Sequence, residues 1–359
     1  MKIRDKSIPM ISYKQLAAVI IVCRIFTLMT HVPLIRQGYS AAVQISAEAV
    51  SALIQAVMLI PAVIFYSKDR HDPAERAFAL GKVWGYAVSA VYLIYFTVTA
   101  AMNGGIFTDF LRSRFSESVT GAAAAVLLII VCFYCAYCGI EGIARASAAV
   151  LILFIIMTIV MVTGGIDKMQ TENLRTDFSG SLFLNALTED ISRCTETALL
   201  CFAGKYTADR FRCGAYYSVC GKLLCTVFVT FVSLLVLGDY AYMSLYPYLD
   251  IGSSAGVRFL QRIDAVYMIV WVLTAVIFIS AEIFFSASVL ETAFHFRRST
   301  ACITVSVIVM LLLLAGIYAS AEQVYESMAS LPMQLTAVTL IPLIILIAER
   351  WGSREKKKA

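Results

Sequence analysis

Charge is what this chain has least of. Asp, Glu, Lys and Arg together make up 15% of its 359 residues, where a soluble domain carries about 25%. Histidine occurs only at 31, 71 and 295. No P-loop, G-x-S-x-G or H-E-x-x-H pattern is present, which disfavours an ATP-driven pump and an intramembrane protease. The expectation is a non-enzyme without cofactor or metal. No A-x-A-like site follows the first apolar run, so that run is expected to stay as a signal anchor.

Cysteine is present without forming a framework. All ten fall in apolar runs or in loops assigned below to the cytoplasmic side. Cys132, Cys135 and Cys138 recur every three residues, but on a helix each such step precesses by about 60°, so the thiols do not converge on one ion. Small packing residues are the simpler reading.

Apolar sequence is what the chain has most of. Hydrophobic residues make up 60% of it, and the mean hydropathy is +0.81. Apolar runs of about 20 residues recur, the length that crosses a bilayer as a helix. The runs place spans at 12–35, 46–66, 85–107, 119–140, 145–165, 182–205, 214–240, 264–294, 301–320 and 332–350. This predicts an all-α integral membrane protein of ten transmembrane helices in a single domain, residues 1–359.

Lys and Arg concentrate on one set of loops. With a cytoplasmic N-terminus, the inner side holds Lys2, Arg4, Lys68, Arg76, Lys205, Arg210, Arg212, Lys222, Arg297, Arg298 and the tail Arg354–Lys358, among others. The positive-inside rule then puts both termini in the cytoplasm. The basic residues serve topology and anionic lipid, and no nucleic-acid motif accompanies them. Of the two longer outer loops, 166–181 is polar. The other, 241–263, carries Tyr242, Tyr246 and Tyr248 and reads either as a bilayer-interface segment or as a lid.

Span six holds the least expected residues. Glu189, Asp190, Arg193 and Glu196 lie inside it, although an ionised group at mid-bilayer costs at least about 2.5 kcal/mol. Glu189, Arg193 and Glu196 share one helix face, so Arg193 can pair with either carboxylate. Thr197 flanks that face. The alternatives are a self-neutralising ladder and the lining of a polar cavity. In span one, Arg24 lies too deep to snorkel, with Thr27 nearby. It needs an acidic partner, and Glu196 or Glu282 of span eight suits in depth. Tyr92 and Tyr95 of span three are further candidates for a site lining.

Polar disruption in spans one and six is the pattern of a five-plus-five inverted repeat with two broken helices. The approximate repeats are 10–165 and 180–350. Gly139-Ile140-Glu141-Gly142-Ile143-Ala144-Arg145-Ala146 resembles the G-[IL]-E-x-[IL]-A-R-x signature of spore germination permeases, the B subunits of nutrient germinant receptors. Arg262-Ile263-Asp264-Ala265 followed by Trp271 resembles the same family's R-[IL]-[DE]-x…W entry into span eight. Ile11-Ser12-Tyr13-Lys14-Gln15-Leu16 resembles its I-S-x-x-Q-L opening. The resemblance implies the amino acid–polyamine–organocation transporter fold, a small nutrient such as an amino acid, and the endospore inner membrane. It also implies an A-type membrane subunit and a C-type lipoprotein as partners. Glu141, Arg145, Arg262 and Asp264 match its motifs as architectural or gating positions. The stretch Cys23–Leu28 lacks the glycine that marks span one in transporting relatives, which favours a receptor.

The leading expectation is therefore a nutrient site formed by Arg24, Thr27, Tyr92, Tyr95, Glu196, Thr197 and Glu282. Glu189, Asp190 and Arg193 would form a gating charge network. A proton-coupled amino acid or polyamine transporter is the alternative, and a scaffold whose charges pair only internally is a third reading.

Overall fold

The computed structural model describes residues 10–30, 39–68, 70–115, 121–254, 263–319 and 330–355. The helices are α1 (Tyr13–Thr30), α2 (Ala41–Met58), α3 (Ile60–Lys68), α4 (Pro73–Leu80), α5 (Lys82–Phe115), α6 (Gly121–Cys138), α7 (Ile140–Gly165), α8 (Gly180–Arg193), α9 (Leu200–Ala203), α10 (Phe211–Leu237), α11 (Pro247–Ser254), α12 (Ile263–Phe294), α13 (Arg298–Ala319), α14 (Leu331–Leu335) and α15 (Ile341–Glu355). Among the described residues, nine helical stretches are long and apolar enough to cross a membrane, with α2–α3 and α14–α15 each counting as one. Leu127, Ile130, Ile156, Ile159, Leu224 and Leu311 are exposed on them. Apolar side chains on outward faces are what lipid, not water, requires.

The charged sixth segment is not among the nine because its helix is interrupted. α8 stops at Arg193, a 3₁₀ stretch covers Thr195–Leu199, α9 supplies one turn, and a second 3₁₀ turn ends at Tyr206. Neither glycine nor proline occurs between 181 and 203. Side chains of the interrupted stretch bond sideways to neighbouring helices, as described below.

Over its described residues, span one shows no break. α1 is continuous from Tyr13 to Thr30 and passes through Arg24 without a break. Its threonines bond to its own backbone: Thr27 Oγ1 donates to the Arg24 carbonyl at 3.0 Å and Thr30 Oγ1 to the Phe26 carbonyl at 2.8 Å. With no glycine in the helix, nothing loosens it. Residues 31–38 lie outside the described residues.

Two other spans are interrupted beside prolines, and carbonyls near each break accept from side chains. Leu59 separates α2 from α3 two residues before Pro61, and the Met58 carbonyl accepts from Thr339 Oγ1 at 3.2 Å. Pro342 follows a π-helical turn over Thr336–Leu340, since it has no N–H to offer and its ring crowds the preceding turn. The Ala337 carbonyl accepts from Tyr92 Oη at 2.6 Å, and the Val338 carbonyl from Cys201 Sγ at 3.7 Å.

α1 and α12 are the most buried of the nine stretches. α1 packs on α7, α10, α12 and the 3₁₀ stretch of span six. Its contact with α10 is close because Gly214 and Gly221 face it. A Cβ at Gly214 would stand 3.1 Å from the Tyr13 carbonyl oxygen, and one at Gly221 would overlap Ile21. Small residues at such crossings let backbones approach, and this one sets α10 against Arg24.

The two ends of the bundle are closed differently. At one end α11 folds inward. Tyr248 is buried with its hydroxyl 2.7 Å from Thr158 Oγ1, and the Tyr246 ring stacks edge-on against Phe110 at 4.5 Å. That packing favours the lid reading for these two tyrosines; the short helix runs over Pro247–Ser254, and residues 255–262 lie outside the described residues. Trp271 Nε1 donates to Thr30 Oγ1 at 2.8 Å beneath the lid.

At the other end, backbone bonds join Ile11 N to the Tyr206 carbonyl at 2.8 Å and Ala208 N to the Ile11 carbonyl at 2.9 Å. Beside them Lys205 Nζ lies 2.9 Å from Asp72 Oδ2 and 2.6 Å from Glu75 Oε1. Burial raises the Asp72 carboxyl above its ordinary value. Burial alone would also raise Glu75, but the Lys205 ammonium holds it below the usual carboxylate range.

Candidate functional site

The interruption of span six meets α1, α2 and α10 in a buried cluster of charge. Arg24 on α1 is 2% exposed, and its Nη2 lies 2.5 Å from Asp190 Oδ1 at the end of α8. Arg24 Nε donates to Thr226 Oγ1 on α10 at 3.2 Å. Its Nη1 has no hydrogen-bond partner among the described residues.

One turn further, Lys222 of α10 reaches the interruption itself. Its Nζ lies 2.8 Å from Glu196 Oε1, 2.8 Å from Thr197 Oγ1 and 2.7 Å from Gln55 Oε1. Gln55 of α2 turns its amide nitrogen to Ser51 Oγ at 3.0 Å and Cys194 Sγ at 3.2 Å. These bonds draw residues 194–197 toward α2 and α10, and the α-helical ladder gives way there. Glu48 of α2 completes the cluster: it is 2% exposed and accepts from Thr230 Oγ1 at 2.6 Å through one oxygen.

A void of about 10 Å³ lies among Arg24, Glu48, Gln55, Asp190, Lys222 and Thr226. That is room for about one water. Two buried cations, Arg24 and Lys222, and two buried carboxyl groups, Glu48 and Asp190, thus line a water-sized space, with Glu196 bonded to Lys222. Buried charge is tolerated only where it is paired and hydrogen-bonded, and this arrangement pairs most of it.

A family model described as spore germination protein matches residues 11–324 of the chain. The chain belongs to the spore germination protein family. No curated protein matches it. Solved transporters share its fold at low sequence identity. MhsT in complex with L-phenylalanine is 17% identical, with a TM-score of 0.62 over 93% of this chain and 89% of that one. A Na+-coupled sialic acid symporter is 14% identical, with a TM-score of 0.64 over 90% and 78%. Mhp1, a nucleobase-cation-symport-1 transporter, in a closed conformation, is 15% identical, with a TM-score of 0.63 over 98% and 96%. The chain thus shares the fold of these solved proteins, and fold and family together point to a membrane transporter or receptor.

Several expected site residues come together and several do not. Arg24, Glu196 and Thr197 belong to the cluster, but the partner of Arg24 is Asp190 rather than Glu196 or Glu282. Glu196 is taken by Lys222 instead. Lys222 is not an inner-loop charge: α10 begins at Phe211, which carries Lys222 three turns into the helix, where it is 4% exposed. Arg193 pairs with Glu189 at 2.7 Å and not with Glu196, because the helix ends between them. Glu282 stands apart on α12 and accepts from Asn103 Nδ2 at 3.0 Å.

Tyr92 and Tyr95 are buried in aromatic packing rather than on the void. Tyr92 lies 4.7 Å from the Phe202 ring, and Tyr95 packs against Phe96. Thr27 spends its hydroxyl on its own helix. Glu141 and Arg145 form an exposed pair at 3.4 Å on the α6–α7 side of the Lys205 end, where Glu141 also accepts from Met10 N. Arg262 and the Asp264 side chain lie outside the described residues.

Glu48, Gln55, Lys222 and Thr226 were missed. The available signal was a Lys and a Glu within apolar runs. Glu48 stands near the edge of the run 46–66, while Lys222 stands within the run 214–240 yet was grouped with the inner-side charges.

Proposed function

We propose that this chain is the membrane subunit of a spore nutrient germinant receptor, and that a small nutrient, an amino acid by preference, binds at the Arg24–Asp190 pair. The observation that carries the reading is a buried guanidinium with one nitrogen unoccupied, held across the end of an interrupted helix. Guanidinium forks suit carboxylates. An incoming ligand carboxylate would compete with Asp190 for Arg24, and the void is too small to admit it without displacing α8. Ligand binding is thereby tied to a movement of span six, and differential affinity for the two arrangements shifts their populations. An A-type membrane subunit and a C-type lipoprotein would read that movement.

In this reading the interrupted segment is the tenth crossing, the halves 10–165 and 180–350 are inverted repeats, and the Lys205 end with both termini faces the cytoplasm, at the spore inner membrane. Thermal stabilisation of the purified chain by a panel of amino acids tests it. A hit is expected that weakens at least about tenfold in Arg24→Gln, the loss of one charged bond at about 1.5–3 kcal/mol. A hit untouched by that substitution removes the site from Arg24.

The second reading is a proton-coupled transporter of amino acids or polyamines. Buried Glu48, with one carboxyl oxygen lacking a hydrogen-bond partner among the described residues, favours it. Uptake by the chain alone in liposomes under a proton gradient would support it over the receptor.

A further inference from the structure

Lys222 holds a position that its own helix does not require. Its ammonium is seated among three oxygens from two other parts of the chain: the Glu196 carboxylate and Thr197 hydroxyl of interrupted span six, and the Gln55 amide of α2. All three residues are buried to 4% exposure or less. The second carboxylate oxygen of Glu196 is buried without a hydrogen-bond partner among the described residues, which leaves it available as a further ligand. Thr197 Oγ1 also lies 3.2 Å from Gln55 Oε1, so the oxygens converge on the nitrogen.

Carboxylate, hydroxyl and amide carbonyl are the oxygen donors a hard monovalent cation takes, and an ammonium is close to potassium in size and charge. A helix interruption lined by one carboxylate needs a positive charge to stay neutral inside a bilayer. We propose that residues Glu196, Thr197 and Gln55 form a monovalent-cation site, permanently filled by the Lys222 ammonium as a tethered cation. Span six is then held to α2 and α10 without any dissolved ion, and the protein's folding and ligand response are independent of sodium and potassium. This holds for a receptor and for a transporter alike, so its test does not depend on which of the two readings is right.

The experiment uses the full chain in detergent and compares its melting temperature in potassium chloride, methylammonium chloride and N-methyl-D-glucamine chloride at equal ionic strength. The wild type should melt at the same temperature in all three. Lys222→Ala should melt lower in N-methyl-D-glucamine and recover by several degrees, saturably, in potassium or methylammonium, as linkage to a bound cation requires. The double variant Lys222→Ala with Glu196→Gln should lose that recovery. A Lys222→Ala protein equally stable in all three salts overturns the proposal, as does a wild type that responds as strongly as the variant. Lys222→Ser is read in the same way if the alanine variant does not accumulate. Failure of both to accumulate in potassium-rich cells also counts against the proposal, because the ion to fill the site is then at hand.

Discussion

Spans one and six carry similar polar content and fold differently. α1 runs unbroken past Arg24, whereas span six loses its α-helix after Arg193. The difference lies in where the side chains find partners. Thr27 and Thr30 turn back to carbonyls of their own helix, which leaves the ladder intact. Glu196 and Thr197 bond to Lys222 and Gln55 on neighbouring helices, and Cys194 is held by Gln55. A buried charge alone does not break a helix.

The comparison can be broken most directly at the ion pair joining the two spans. Asp190→Asn leaves Arg24 charged and buried, a change that costs about 3–5 kcal/mol. A large fall in melting temperature is expected, and Arg24→Gln with Asp190→Asn should recover most of it. An additive double mutant would show that the two residues do not depend on each other.

The threonines sharpen it. Thr197→Val removes an oxygen from a buried ammonium and should cost about 1–3 kcal/mol. Thr27→Val removes only a bond to its own helix and should stay within about 0.5 kcal/mol, measured by the same thermal unfolding. Equal costs would mean that the direction of the hydroxyl does not matter.

The smallest effect is expected at the far end of span six. Glu75 sits below its ordinary value in the folded protein. Its contribution is therefore complete above the unfolded carboxylate pKa of about 4.3 and is lost as the pH falls through the lower folded value. The stability difference between wild type and Glu75→Gln should be less than about 1 kcal/mol at pH 7 and shrink below about pH 4. Asp72 is shifted upward and is present in both proteins, so it largely cancels. A difference that grows on acidification would contradict the pairing with Lys205.

Much of the architecture was legible because hydrophobic length is a one-dimensional property. The span positions and the anomaly of span six follow from it directly. The pairing within the site was not legible. Depth could match Arg24 to several acids, but only the rotation of α8 about its axis selects Asp190 over Glu196. Lys222 and Glu48 were hidden by a different cause. Glu48 lies near the end of its apolar run, which α2 extends back to Ala41, whereas Lys222 lies inside the run 214–240 and was grouped with the inner-side charges by its type alone. Counting Lys222 among the loop charges also strengthened the topology argument with a residue that does not belong to it.

The short backbone ladder between Ile11 and residues 206–208 ties the start of α1 to the end of the interrupted segment. Those two chain ends therefore travel as a unit. A rearrangement that parts the first and sixth helices must either pivot about this stitch or unzip it. Slow amide exchange at Ile11 and Ala208 during turnover would mark it as the fulcrum, and rapid exchange would mark it as the seam that opens.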